Sequence, residues 1–175
     1  MQTELVRLSA SSPELPAILA LYESAFPANE RREPEEIIGS EGGPGELLAV
    51  KCGGELAGML AVLTYRDITH ILYFAVMPEM RDRGIGAAAL AALRGRYPGQ
   101  RIIADPERPE SYRPNIEQRL RRLAFYERCG YYPTEVKYTW RGEDYVIVSN
   151  GGAITEKEFG LFWKHFHPER SRENE

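Results

Sequence analysis

Arg81 and Arg83 stand just ahead of Gly84-Ile85-Gly86-Ala87, and these residue types at this spacing can hold a phosphorylated anion. An alanine- and leucine-rich segment with strong helix propensity follows them to about Tyr97. The first turn of a helix carries backbone N–H groups without partners inside the helix, and the helix dipole adds partial positive charge there. Glycine lets an anion come close to those amides because no Cβ intervenes. Two guanidinium groups at the entrance add full charges, so the stretch predicts a pyrophosphate cradle.

The elements that must position this turn are legible on either side of it. Ile71 to Val76 is apolar and rich in β-branched and aromatic residues, which predicts a buried strand. Pro78 stops regular pairing, and Met80 to Arg83 forms a charged turn. Pro98-Gly99 ends the helix, and a second short strand runs from Arg101 to Ala104. Strand, glycine turn, helix and strand make a crossover that joins two parallel strands. A Rossmann reading of Gly84-x-Gly86-x-x-Ala89 with Asp105 is disfavoured, because seven residues, Met77 to Arg83, separate the strand from the glycines. A glycine turn that binds nothing is the bland alternative.

Set between a strand and a helix, Arg81-x-x-Gly84-x-Gly86-Ala87 resembles the acyl-CoA motif [QR]-x-x-G-x-[GA] of the GNAT N-acetyltransferase superfamily. Arg122-Leu-Ala-Phe125-Tyr126-Glu-Arg-Cys-Gly130-Tyr131 is similar to that family's later helix, with its aromatic-Tyr pair and Gly-aromatic ending. With Phe26-Pro-Ala-Asn-Glu-Arg-Arg32 near the start, the resemblance spans most of the chain. It implies a single α/β domain over residues 1–167: a mixed, mostly antiparallel sheet, flanking helices and a splayed parallel strand pair. Residues 168–175 are expected to form a frayed tail.

The same resemblance implies acyl-CoA-dependent N-acetyl transfer, direct from acetyl-CoA to an amine of a small molecule or peptide, without a covalent enzyme intermediate. Pantetheine would add to the strand edge at Phe74, Ala75 and Val76. The pyrophosphate would lie on Arg81, Arg83, Gly84, Ile85, Gly86 and Ala87, with Arg122 on the cofactor side. Tyr126 matches the family's Tyr that donates to the departing CoA sulfur, and a phenol with a pKa near 10 can serve a thiolate. Two positions depart from the family pattern: His70 stands where many members carry a Glu base, and Arg119 where they place an Asn. Neutral imidazole is a competent base at physiological pH. Helix, turn and helix around Phe26 and Arg31 would wall the acceptor site. A noncatalytic acyl-CoA-binding module on the same fold is the competing reading.

From the residues themselves, Asp105 and Glu107 leave the second strand at i and i+2, share a side, and could hold or deprotonate a cationic amine. The other elements follow in order. Leu5 to Leu8 predicts a strand and Glu14 to Ala25 an amphipathic helix, with a further helix opening at Pro34. Glu46 to Cys52 and Leu56 to Tyr65 predict strands joined at Gly53-Gly54. Asn115 is the expected N-cap of a helix to Cys129, with Ile116, Leu120, Leu123 and Ala124 as its buried stripe. Asn115, Arg119, Arg122 and Tyr126 then share a polar stripe, at about 100° per residue. Val136 to Trp140 and Tyr145 to Ser149 predict a hairpin turning at Arg141 to Asp144, and Thr155 to His167 a helix opening with a capping box.

The 175 residues, 43% hydrophobic, suit one globular core, and a net charge of −4 supplies no global field for nucleic acid or anionic membranes. No run is long enough for a membrane span, and Cys52 and Cys129 fit neither a zinc spacing nor a disulfide framework. His165 and His167 lack converging metal ligands. The expectation is a soluble cytoplasmic monomer or homodimer without metal.

Overall fold

The computed structural model describes residues 2–110 and 113–168, so the expected tail from residue 169 onward lies outside the described residues. Seven described strands form one mixed sheet, mostly antiparallel with one parallel pair, in the order β1-β2-β3-β4-β5-β7-β6. The chain packs as two compact units: Met1–Thr64 with Thr69–Pro98, and Tyr65–Ile68 with Gly99–Glu175.

The first unit holds β1 (Thr3–Arg7), α1 (Leu15–Ala25), α2 (Pro34–Ile38), β2 (Gly45–Cys52), nearly all of β3 (Glu55–Tyr65) and β4 (Ile68–Val76), and α3 (Ile85–Arg96). β1 pairs with β2 and β2 with β3, both antiparallel. The β2–β3 turn is Gly53-Gly54, both at positive φ (59° and 84°), which suits a two-residue hairpin. Near that turn the ladder slips: Val50 pairs with Gly58 and Lys51 with Leu56, so Ala57 is an extra residue in β3. Leu47, Ala49, Met59 and Ala61 face Leu15, Ile18, Leu21, Tyr22 and Ile37, the buried side of the α1–α2 pair. β4 begins three residues ahead of the expected Ile71, because Arg66 at φ 56° completes the turn and frees Ile68 and Thr69 to extend the strand.

The second unit holds β5 (Arg101–Ala104), α4 (Ile116–Arg128), β6 (Tyr132–Trp140), β7 (Glu143–Asn150) and α5 (Glu156–Phe166). β7 pairs antiparallel with both β5 and β6. The hairpin is tighter than expected: Arg141 and Gly142 alone make the turn, at φ 52° and 82°, and Glu143 and Asp144 belong to β7. α5 carries the expected capping box, with the Thr155 hydroxyl accepting from Glu158 N and Glu158 reaching back to Thr155 N. Phe159 stacks on Tyr138, centroids 5.5 Å apart, and Trp163 lies 6.1 Å from Phe159.

α4 departs from the expected pattern. Leu120 is 50% exposed and Ala124 is exposed too, while Arg119 is 3% exposed, so the buried face is turned toward Arg119 and Tyr126, with Leu123 half-buried. The reason is electrostatic. Arg119 donates to Glu143 (2.9 Å), to the Arg108 carbonyl (3.1 Å) and to Asn115 (2.9 Å), and it pairs with Glu107. A guanidinium satisfied on all sides can be buried where an unpaired one could not. Asn115 Oδ1 is consumed by Arg119, and no side-chain cap forms at this helix start.

Candidate functional site

The turn after β4 carries the residues expected of an anion cradle. A single 3₁₀ turn, Pro78–Met80, redirects the chain, and Met80 is buried under it. Asp82 and Gly84 then take positive φ, 62° and 75°, and Gly84 is the left-handed N-cap of α3. A side chain at 84 would meet open space, so this glycine is required by its backbone angle rather than by crowding. The first i→i−4 bond of α3 runs from Ala88 N to Gly84 O at 3.1 Å, so the amides of Ile85, Gly86 and Ala87 precede the helical ladder. Arg81, Arg83 and Ala87 are exposed beside them, while Ile85 is buried and anchors the turn. Arg81 is partly committed: its Nε donates to the Val76 carbonyl at 3.2 Å, tying the turn to the end of β4. Arg83 reaches back to the Met80 sulfur at 3.8 Å. A cavity of about 150 Å³ lies against Gly84 and Ala88, with Cys52 on its wall, well below the size of an enclosed nucleotide pocket.

Phe74, Ala75 and Val76 are half-buried at the end of β4, and His70, on the same strand, is 5% exposed. Six residues of extended chain put His70 roughly 20 Å from Val76. Phe26 packs edge-on to Tyr73, centroids 4.9 Å apart, and Arg31 donates to the Glu23 carbonyl at 3.0 Å. The loop they bracket is pinned by two phenols. Tyr73 donates to Glu30 O (2.6 Å), Tyr22 donates to Arg32 O (2.8 Å), and Arg32 N donates to both phenolic oxygens. Burial, then the bond with Tyr73, pushes the Tyr22 phenol well above its ordinary value. Hydrophobic spacing marked these tyrosines as core; no sequence signal shows that their hydroxyls hold a loop.

In the second unit Tyr126 is 8% exposed, edge-on to Phe125 and Tyr131 at 5.6 Å each. Burial, and next the negative charge of Asp105, raise its phenol above the usual 10. Asp105 itself accepts a hydrogen bond from Tyr138 Oη. Glu107, expected to share a side with Asp105, has different partners in this unit. Glu107 turns to the guanidinium groups of Arg119 and Arg122, the latter at 3.4 Å, and bridges to Tyr145 through its backbone. Arg122 remains partly exposed, so the expected polar stripe splits into a buried Arg119 and an outward Arg122. Among the described residues no cluster of three or more metal-ligating side chains occurs, and no helix is long and apolar enough to cross a membrane.

The profile of the Acetyltransferase (GNAT) family matches residues 15–131. Among solved structures, a GNAT-family protein from Bacteroides thetaiotaomicron is similar at TM-score 0.78 and 20% identity, covering 95% of this chain and 97% of its own. A GNAT family acetyltransferase from Elizabethkingia anophelis with acetyl-CoA bound is similar at TM-score 0.55 and 16% identity, covering 85% and 97%. The ribosomal-protein-S18-alanine N-acetyltransferase from Escherichia coli is similar at TM-score 0.58 and 17% identity, covering 89% and 97%. No curated protein matches. At these identities the solved structures speak for the fold, while the profile match covers most of the chain, from α1 through the cradle to the end of α4. This chain belongs to the Acetyltransferase (GNAT) family.

Proposed function

We propose that this protein is an acetyl-CoA-dependent N-acetyltransferase acting on an amine of a small molecule or peptide. The observation that carries the reading is the left-handed Gly84 opening α3, with the amides of Ile85, Gly86 and Ala87 ahead of its first bond and two arginines alongside. Those amides and charges suit the pyrophosphate of CoA. The backbone of Phe74, Ala75 and Val76 would take the pantetheine arm as an added strand. Arg122 would act at the cofactor's edge, sharing its charge with Glu107.

In the proposed reaction the neutral amine attacks the thioester carbonyl, a C–N bond forms, and the C–S bond breaks to release the CoA thiolate. The proton lost by nitrogen balances the one gained by sulfur. A phenol held above 10 is a weaker acid than a thiol near 8.5, so Tyr126 serves best as a hydrogen-bond donor to sulfur while charge develops. Two groups compete to receive the amine's proton: His70, buried on β4, and Asp105, whose charge reaches Tyr126. Glu107 is the weaker candidate, because its carboxylate already serves two guanidinium groups. Phe26 and Arg31, on the loop held by Tyr22 and Tyr73, would line the acceptor side.

The test is release of free CoA from acetyl-CoA across a panel of small amines, peptide N-termini and lysine peptides, read by a thiol reagent. Turnover with one amine class is expected. With that amine, His70→Ala should depress kcat most at neutral pH if His70 is the base, and Asp105→Asn should do so if Asp105 is. A protein that binds acetyl-CoA yet stays silent across the whole panel would be an acyl-CoA-binding module instead.

A further inference from the structure

Gly58, in the middle of β3, has an unusual neighbour. A Cβ built on it would lie 2.4 Å from the Ala75 carbonyl oxygen, 3.3 Å from the Ala75 carbonyl carbon and 3.2 Å from Val76 Cα. All three are backbone atoms, so no side chain can swing aside to make room. The Ala75 carbonyl occupies the place where a side chain of residue 58 would stand. Three further features converge on this point. Ala57, next to it, is the extra residue of the β2–β3 ladder. The Ala57 carbonyl accepts from Met77 N at 2.7 Å, and the Val76 carbonyl accepts from Arg81 Nε at 3.2 Å. The Val76–Met77 peptide unit is thus held on both its carbonyl and its amide side, and the Ala75 carbonyl just before it rests on a glycine.

We infer that Gly58 is a positioning residue for acyl-CoA: its missing side chain lets the Ala75–Val76 backbone settle in the orientation that presents a strand edge to the pantetheine arm. The inference deepens the reading of this edge given above and rests on it. Any side chain at 58 displaces the Ala75 peptide unit by several tenths of an ångström or more, and a hydrogen-bonding edge tolerates such a shift poorly. The amides proposed for the phosphates, Ile85 to Ala87, lie beyond the Pro78–Met80 turn and are set by the left-handed Gly84, so they should feel the change little; Arg81, bonded to the Val76 carbonyl, is the one group of that site linked to it.

That difference makes the role separable from general stability. Acetyl-CoA and adenosine 3′,5′-bisphosphate, which has CoA's nucleotide, its 3′-phosphate and the inner phosphate of its pyrophosphate but no pantetheine, would be titrated calorimetrically into wild type and Gly58→Ala. The expected result is a loss of about tenfold or more for acetyl-CoA, with the bisphosphate within about twofold of wild type. Equal losses for both ligands, or no loss for either, would overturn the role. Should Gly58→Ala not fold, the double variant Gly58→Ala with Ala75→Gly is measured against Ala75→Gly alone. Glycine at 75 lets that peptide unit turn away from the new methyl without a Cβ penalty, so the fold is kept while the edge is lost. A selective loss of acetyl-CoA in the double variant supports the inference, and unchanged affinity refutes it. If wild type binds the bisphosphate but gains nothing from the pantetheine arm, the edge reading itself fails. If it binds neither, the acyl-CoA reading falls with it.

Discussion

Tyr126 is the residue on which the chemistry is most sharply testable. Its side chain is buried, and both burial and the Asp105 charge hold the phenol protonated well above neutral pH. Tyr126→Phe keeps the ring contacts with Phe125 and Tyr131 and removes one hydroxyl. If that hydroxyl acts on developing thiolate charge, kcat should fall by about 10²-fold with acetyl-CoA affinity little changed. An acyl donor with a more acidic leaving thiol should shrink the defect, as steady-state rates with the two donors would reveal. The sign of the pH dependence follows from the raised pKa. The protonated phenol is the active form, so wild-type kcat should show no alkaline loss from Tyr126 below pH about 10. An alkaline limb near pH 8 that disappears in Tyr126→Phe would contradict the assignment.

At the scale of elements, charge docks one helix and caps another. α4 is docked through the buried Arg119, and removing its side chain takes the nearest cation from Glu107 and Glu143, strips a hydrogen bond from the Arg108 carbonyl and empties the space it filled. Arg119→Ala should therefore cost about 3 kcal/mol in chemical denaturation, whereas Leu120→Ala, half-exposed on the same helix, should cost far less. Equal effects would mean that the network carries no net stability. In the first turn of α5, Glu158 closes the capping box and pairs with Arg101. The Arg101 hydrogen bond, above all, lowers the Glu158 carboxyl from 4.5 to about 2. A depressed folded-state pKa stabilises the fold above the unfolded value and loses that effect as pH falls through the folded one. The melting-temperature gap between wild type and Glu158→Gln should thus be full above pH about 4.5 and close toward pH about 2. A gap independent of pH would remove the carboxylate's charge from the explanation.

At the scale of the whole molecule, a ligand that binds only the folded chain stabilises it by mass action, by about 2.7 kcal/mol at a hundredfold excess over Kd. Acetyl-CoA should raise the melting temperature in a concentration-dependent way, and NAD(H) should leave it unchanged. Gly86→Glu puts bulk and negative charge in the first turn of α3, where the phosphates are proposed to sit. It should abolish most of the acetyl-CoA shift while the ligand-free protein still melts cooperatively. A full shift in that variant would remove the α3 turn from the binding site.

Local chemistry made much of this protein legible in its sequence. The glycine turn, the strand before it, the helix after it, the Gly53-Gly54 hairpin and the Thr155 capping box are set by residues within a few positions of one another. Backbone angle, propensity and capping act over that range, so one sequence suffices to read them. Long-range contacts decided the rest. Leu120 lies outside and Arg119 inside because Glu107 and Glu143, distant in the chain, surround the guanidinium. Glu107 is committed to two guanidinium groups by the same contacts. The phenols of Tyr22 and Tyr73 meet the Arg32 backbone only after β4 has been laid beside α1. Gly58 looks like an ordinary strand glycine until the Ala75 carbonyl fills the space its side chain would need. Apolar periodicity measures how well a residue suits burial. It does not say which charged group will find enough partners to be buried, or which backbone will pass within a methyl's width, and folding settles both by bringing distant atoms together.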